Sequence, residues 1–509
     1  MKWMRGRIVV ITLATLAVVS MALLLSLPTG RQIPAPGGPI LIEHVRVLGA
    51  EGFGDLVNVL VDDGRIAAIG AAPGQAQETI DGRGGLLLPG LIDAHTHSWG
   101  NALEDTLRFG VTAHLDMLTN SRVFADARRA REDFAPSTSA ALFSAGVLAT
   151  VAGGHGTQFG VSLPLIDDNT DYDTWVRDRR AEGSDWIKLV IEPGAFGRRG
   201  LPTLSERQVK GLVAAAHRGG LIAVAHVSRL EDAKMAVRAG VDGLVHVWSD
   251  TLPDEAFLST LRERGVFVVP TLSVLAGLAG VSPIDAEDPA LVGRLSARQT
   301  RSLRARFGGG FGLGSTLYER VEAITQRLIA AGVTVLAGTD AANPGTAYGL
   351  SQWGEMHLLT QAGLSKLDAL HAATRAPAAR FGLADRGVLR VGARADLVLL
   401  TVESLDNLDF LAMPIAAVLR NGRPIALDPP TGVASTAERI KAESWLTLDS
   451  DDWRRHGLAS TDELTNGAFN VSVEGSASVL RVRGATRPGL AFPWAAAPFI
   501  FELRLLEGR

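Results

Sequence analysis

Cysteine is absent from the 509 residues, which removes disulfides, thiolate metal ligands and cysteine nucleophiles together. Any metal must then be held by imidazole, carboxylate or a modified lysine. A strong excess of one charge is missing too. Fifty basic residues against 54 acidic ones leave a formal net charge of -4, so no electrostatic case exists for a nucleic-acid partner. Aromatic residues are sparse at 6%, and charged residues make up 20%. Against these shortages stand 47% apolar residues, ample for a buried core, over a length that exceeds one ordinary domain.

One long hydrophobic run is present. Lys2, Arg5 and Arg7 precede residues 8–27, which are apolar or small apart from Thr12, Thr15, Ser20 and Ser26. A basic start followed by about twenty uncharged residues can span a bilayer with its positive flank inside. The small-x-small cleavage pattern is poor around residues 25–30, and no cysteine follows to make a lipoprotein signal. Residues 1–30 are therefore expected to be a signal anchor, with a cleaved signal peptide as the alternative. Either way the remainder is expected to be exported: membrane-anchored and facing the periplasm or extracellular side, or secreted if the segment is removed.

Residues 31–85 read as the first part of a small β domain, with short strands at 40–47, 57–61 and 65–69 and an Asp62-Asp-Gly64 hairpin turn. From residue 86 the pattern becomes strand, helix, strand. Apolar runs at 86–95, 111–116, 140–148, 186–191, 221–226, 243–247, 266–272 and 333–338 alternate with helical patterns such as 205–218, 231–239 and 318–331. That alternation predicts an α/β fold, a (β/α)8 TIM barrel over residues 86–386. An open doubly wound sheet is the runner-up, but the first strand is not followed by its glycine fingerprint. The glycine-rich run Gly308–Gly314 is expected to be a flexible loop, a candidate lid. Strands over 387–400 and 416–423 rejoin the N-terminal strands, so residues 387–428 complete a small β-sandwich domain built from both flanks. Residues 429–509 alternate apolar and polar side chains and read as an accessory β-rich segment, short for a complete sandwich.

A barrel carries its chemistry at the C-terminal ends of its strands. Residues 86–97, Leu-Leu-Leu-Pro-Gly-Leu-Ile-Asp-Ala-His-Thr-His, end the first strand on His95 and His97. Side chains two apart on a strand share a face, so both imidazoles can grip one ion. Lys188 lies in the fourth strand, His226 and His246 end the fifth and sixth, and Asp340 ends the eighth. Singly, each has a bland explanation: a snorkelling lysine, a hydrogen-bonded core histidine, a helix-capping aspartate. Together, in this order and at strand ends of one barrel, they point to a metal centre.

With these residues in place the chain resembles the amidohydrolase superfamily of the binuclear-metal type, and most of all its imidazolonepropionase-like and Xaa-Pro dipeptidase-like branch. The marks are residues 89–97, Lys188, His226, His246, Gly338-Thr-Asp340, Ala373-Thr374 and Gly392-Ala-Arg-Ala-Asp-Leu397, spread over about residues 40–425. The resemblance implies that Lys188 is carboxylated by CO2 and that the carbamate bridges two divalent ions. It implies one site made by His95, His97 and Asp340 and another by His226 and His246. The donor chemistry agrees. A protonated lysine has no lone pair, whereas a carbamate is an anion with two oxygens, and histidines must be neutral to bind. Two ions roughly 3.5–4 Å apart can share a hydroxide that is nucleophilic near neutral pH. Asp340 would take its proton and return it to the leaving group. Zinc is the default ion for nitrogen and oxygen donors without sulfur, and manganese, cobalt or iron suit them as well.

The expected reaction is hydrolysis of C–N bonds in amides, dipeptides or cyclic amides of a small-molecule substrate. Two alternatives stand: a mononuclear deaminase of the same superfamily and a non-catalytic binding protein on the same scaffold. The first usually carries a glutamate soon after the fifth-strand histidine, and Glu231 fits that spacing badly. Complete ligands argue against the second. On the substrate side, His155 and Gln158 in Gly153-Gly-His-Gly-Thr-Gln158 follow the third strand, and Asn343 and Tyr348 follow Asp340. All are candidate contacts. His114, Glu355 and His357 are read as structural. An oligomer is compatible with all of this.

Overall fold

The computed structural model describes residues 38–428, apart from 73, 75, 120, 160, 195–199 and 307–313, and the three strands 469–474, 479–486 and 499–504. In chain order the first strands are β1 (Ile40–Leu48), β2 (Phe53–Asp62), β3 (Arg65–Ile69), β4 (Glu78–Asp81) and β5 (Leu86–Pro89). Next come β6 (Leu91–Thr96), β7 (Val111–Asp116), β8 (Ala141–Ser144), β9 (Ile187–Ile191), β10 (Ala223–Val227), β11 (Gly243–Val245) and β12 (Phe267–Val269). Then follow β13 (Leu397–Leu400), β14 (Ile415–Arg420), β15 (Arg423–Pro424), β16 (Phe469–Glu474), β17 (Val479–Thr486) and β18 (Phe499–Arg504).

The flanks combine. One eight-stranded sheet runs β15-β14-β13-β5-β1-β2-β3, with β4 paired to β1. The join is β5, parallel to β1 and antiparallel to β13. Its residues are Leu-Leu-Leu-Pro, buried throughout, as a central strand covered on both faces requires. Ile42, Val59, Ile66, Leu87, Leu397 and Leu419 make the core of this unit. The strands form a single hydrogen-bonded sheet rather than the two stacked sheets expected of a sandwich.

The apolar run 86–95, which Pro89-Gly90 interrupts before a short strand that leads to the two histidines, divides at Gly90. There the N–H donates to Asp396 O at 2.7 Å, and a Cβ would fall 2.1 Å from Thr112 Oγ1. Only glycine lets the backbone pass so close to Thr112 while it crosses from the flanking sheet into β6.

Beyond this crossing the strands are parallel and separated by helices. They form a sheet β6-β7-β8 and a sheet β9-β10-β11-β12 in the order β12-β11-β10-β9. Their residues are almost wholly buried, and those of β9 to β12 are mainly apolar, as in β10 (Ala-Val-Ala-His-Val), because helices cover parallel strands and leave no wet face. The helices carry the local signals that start and stop them. Glu206–Arg218 opens with Ser205 in a capping box with Gln208, and Glu255–Arg264 opens on Asp254 and closes on Gly265 in the left-handed region.

The expected strand at 333–338 is reduced to isolated parallel bridges, Val268 with Val335 and Thr96 with Ala341. The cause is irregular pairing: Leu336 N bonds Val268 O, while Thr339 N and Asp340 N both donate to the single carbonyl of His95. A third bridge joins Ala149 to Leu189.

Residues 1–37 lie outside the described residues, as does 307–313, which holds most of the expected glycine loop. The expected exported, membrane-anchored location is not sustained: among the described residues no helix is long and apolar enough to cross a membrane. In the C-terminal stretch, β16, β17 and β18 form an antiparallel three-stranded sheet.

Candidate metal centre

The site lies at the C-terminal ends of the parallel strands. His95 is the fifth residue of β6, His97 follows its last residue, and both side chains meet Asp340. Nε2 of His95 is 3.4 Å and Nε2 of His97 is 3.2 Å from Asp340 Oδ1. Donor atoms of the three residues lie within 4.8 Å of one another, the geometry of a metal-holding group. His246, one residue past β11, comes in from the other side, its Nε2 4.0 Å from Asp340 Oδ2 and its ring 4.7 Å from that of His95. His226, in β10, packs edge-on against His246 with ring centroids 4.7 Å apart. Five of the sequence-derived candidates are thus brought together from four separate stretches of chain.

Lys188 is buried in β9, paired with Val224 of β10. Burial draws its amine down to about 7, against the pull of Asp340 and Asp116. A neutral amine can react with CO2, and an ordinary lysine near pH 7 is almost never neutral. The imidazoles are prepared in the same way. Burial, helped by Lys188, pushes His95 down to about 3. Burial and the neighbouring histidines hold His246 well below the usual range. Burial acts to raise Asp340, but the imidazoles of His95, His97 and His246 outweigh it and leave the carboxylate well below its ordinary value. Neutral imidazoles beside an ionised carboxylate are the protonation state a divalent cation needs. Asp340 Oδ1 is buried, and the Nε2 atoms of His95 and His97 face it, so three donor residues converge on one point. The donor set fits a metal.

The backbone supporting these groups is strained. His246, Asp340 and Thr271 sit at φ values of 60°, 56° and 55°. Such positions cost about 1–3 kcal/mol each for residues with a Cβ and collect at functional sites. Thr271 Oγ1 meets His246 Nδ1 at 2.7 Å, leaving Nε2 toward Asp340. Asp93 ties the two ligand-bearing segments together: it accepts from Thr339 Oγ1 at 2.6 Å, from Thr339 N at 3.0 Å and from His95 N at 3.2 Å. At the end of β7, Asp116 accepts from Ser98 N, Ser144 Oγ and Leu118 N.

The outer candidates separate into two kinds. His155 stacks on His226 with ring centroids 5.0 Å apart and so lies over the site. Gln158 faces back into its own turn, accepting from Gly156 N at 2.7 Å and meeting His155 Nδ1 at 3.2 Å. Asn343 donates to Asp340 O at 2.8 Å. Tyr348 is buried, and its hydroxyl donates to His97 O at 2.5 Å and accepts from Trp99 N at 3.3 Å. Asn343 and Tyr348 therefore brace ligand-bearing backbone. His114 is buried with one ring nitrogen at Ser98 Oγ and the other at Thr106 Oγ1. Glu355 is buried and accepts from the N–H groups of Leu272 and Ser273.

Sequence reasoning passed over Glu192, Asp116, Thr271 and the role of Asp93. Parity along a strand carried two of these. Asp93 shares its parity with His95 and His97, and Glu192 lies four residues beyond Lys188, on the same face. Asp116 ends its strand as His95 and His97 end theirs. Thr271 left no sequence signal, since its position depends on a left-handed turn.

The profile described as "Amidohydrolase family" matches residues 86–425. An uncharacterized protein of Mycobacterium tuberculosis is 28% identical over 398 residues, 74% of this chain and 94% of that protein. Among solved structures, a Xaa-Pro dipeptidase with methionine in its active site superposes with a TM-score of 0.62 at 20% identity, covering 76% of this chain and all of that one. The ochratoxinase of Aspergillus niger superposes with a TM-score of 0.60 at 20% identity, covering 77% of this chain and 96% of its own.

Proposed function

Because the chain belongs to the amidohydrolase family and has the fold of its Xaa-Pro dipeptidase-like branch, we propose that it is a metal-dependent hydrolase of C–N bonds with a dinuclear centre. The two parallel sheets are read as one (β/α)8 barrel over residues 86–386. The bridges at Ala149–Leu189, Val268–Val335 and Thr96–Ala341 support that closure, because they link the stretch after β8 to β9, and β12 through the 333–341 stretch back to β6. Residues 31–85 and 387–428 form the flanking domain of this reading.

The observation that carries the proposal is the convergence of His95, His97 and Asp340 within 4.8 Å, with the His246 ring against His95 and the His226 ring edge-on against His246 and a buried Lys188 whose amine is drawn down to about 7. His95, His97 and Asp340 would hold one ion and His226 and His246 a second, and Lys188, once carboxylated, would add an anionic oxygen donor to the set. Bound divalent ions supply polarisation of the scissile carbonyl and acidification of a water.

The residues do the rest. Asp340, ionised and reaching His95, His97 and His246, takes a proton from the attacking water and passes it to the leaving nitrogen. Asn343 and Tyr348 hold the Asp340 and His97 carbonyls, so they fix the ligands instead of touching substrate. His155, above His226, faces the substrate side, with Gln158 bracing it.

The test is a hydrolysis screen of the metal-loaded protein with N-acyl amino acids, Xaa-Pro dipeptides, lactams and lactones. The expected result is turnover of at least one amide class that is lost in Asp340→Asn. Turnover of lactones alone would contradict the C–N assignment.

A further inference from the structure

The strand that carries Lys188 ends on a second charged side chain with no part in the assignments above. Glu192 directly follows β9 and is buried. Four residues from Lys188, it lies two steps along the same face of the strand, nearer the mouth. Its carboxylate is fixed at both ends. Oε1 accepts the N–H of Gly194 at 2.8 Å, and Oε2 lies 3.2 Å from Nε2 of His226. The backbone beneath is held as well, since Glu192 N donates to Thr203 Oγ1 at 2.9 Å.

From this geometry we infer that Glu192 is a positioning residue that selects the metal-binding nitrogen of His226. The inference rests on the dinuclear reading. An ionised carboxylate accepts but does not donate, so the nitrogen facing it carries the proton. The proton on Nε2 leaves the lone pair on Nδ1, which becomes the donor to the ion. His246 shows the same division of labour: Thr271 engages its Nδ1 at 2.7 Å, leaving Nε2 toward Asp340 at 4.0 Å. The two histidines of the second ion thus present opposite nitrogens, each chosen by a polar partner outside the cluster. A carboxylate behind a ligating imidazole also increases its basicity, and loss of such a partner typically weakens metal binding about 10–100-fold. Because Glu192 touches only His226 among the proposed ligands, its removal acts on one ion and not the other.

The experiment titrates metal-free full-length protein with zinc against a chelating indicator. It compares wild type with Glu192→Gln and Glu192→Asp, and checks the fold by circular dichroism. Wild type is expected to bind about two ions per chain. Glu192→Gln should keep one at wild-type affinity and bind the other about 10–100-fold more weakly, with Glu192→Asp between the two. Two ions held as tightly as in wild type, or both weakened equally, would overturn the inference. Fewer than two ions on wild type would instead overturn the dinuclear reading beneath it. Anomalous diffraction from zinc-loaded wild type supplies a readout that needs no variant. An ion on Nδ1 of His226 supports the assignment, and an ion on Nε2 refutes it.

Discussion

At the scale of single residues the account turns on protonation states that burial imposes. The Lys188 amine lies near 7 in the fold because it is buried, against about 10.4 in an unfolded chain. Between those values the folded protein binds fewer protons than the unfolded one, so the stability of the metal-free, CO2-free protein rises with pH across that window. Urea unfolding at a series of pH values should show this rise, by up to about 1.4 kcal/mol per pH unit, and Lys188→Met should flatten it. An unchanged slope in the variant would remove Lys188 as the buried titrating amine. Asp340→Asn keeps the side-chain volume while deleting the proton acceptor. It should cost about 100-fold or more in kcat with the fold retained, as circular dichroism would show; unaltered kcat would end its role as proton carrier. His95, His97, His226, His246 and Asp340 were legible because each closes an apolar stretch with the pattern of a strand, even though the one before Asp340 pairs only through isolated bridges. Glu192 was equally available by parity, and Thr271 was not.

At the scale of elements, Gly90 is the hinge of the architecture. It links β5 of the flanking sheet to β6, whose far end carries His95. A side chain there would meet Thr112 Oγ1, which lies 2.1 Å from the Cβ position. Gly90→Ala should therefore lower stability by about 1–3 kcal/mol, the usual cost of overpacking, read as a fall in the urea midpoint. A midpoint equal to that of wild type would mean that Thr112 moves aside freely. The strand pattern of the sequence located β7, β9, β10, β11 and β12, because parallel strands covered by helices are mainly apolar and buried along their length. The break at Pro89-Gly90 was legible as well, since that pair interrupts the apolar run, while the pairing of β5 with β1 and β13 joins distant parts of the chain. The pattern failed at 333–338, which is apolar like a strand yet pairs only through isolated bridges, and just beyond it His95 O draws the N–H groups of both Thr339 and Asp340. That failure is tertiary, with no trace in local periodicity.

At the scale of the whole molecule, the flanking sheet closes over β5, and the helix-covered parallel strands hold their ligands at one end. Alternation of strands and helices made this arrangement legible, since only α/β folds repeat it. The N-terminal apolar run said nothing about this part of the chain, and no described helix has the length and apolarity to cross a membrane. Dialysis against a chelator should abolish hydrolysis, and a divalent ion with bicarbonate should restore it. Recovery without any ion would point away from a metal-dependent reaction. The most direct measurement is the metal content of the saturated protein, by inductively coupled plasma mass spectrometry, in wild type and in Lys188→Ala. A lysine carbamate that bridges two ions predicts about two per chain in wild type and clearly fewer in the variant. Two ions retained without Lys188, or fewer than two in wild type, would contradict it.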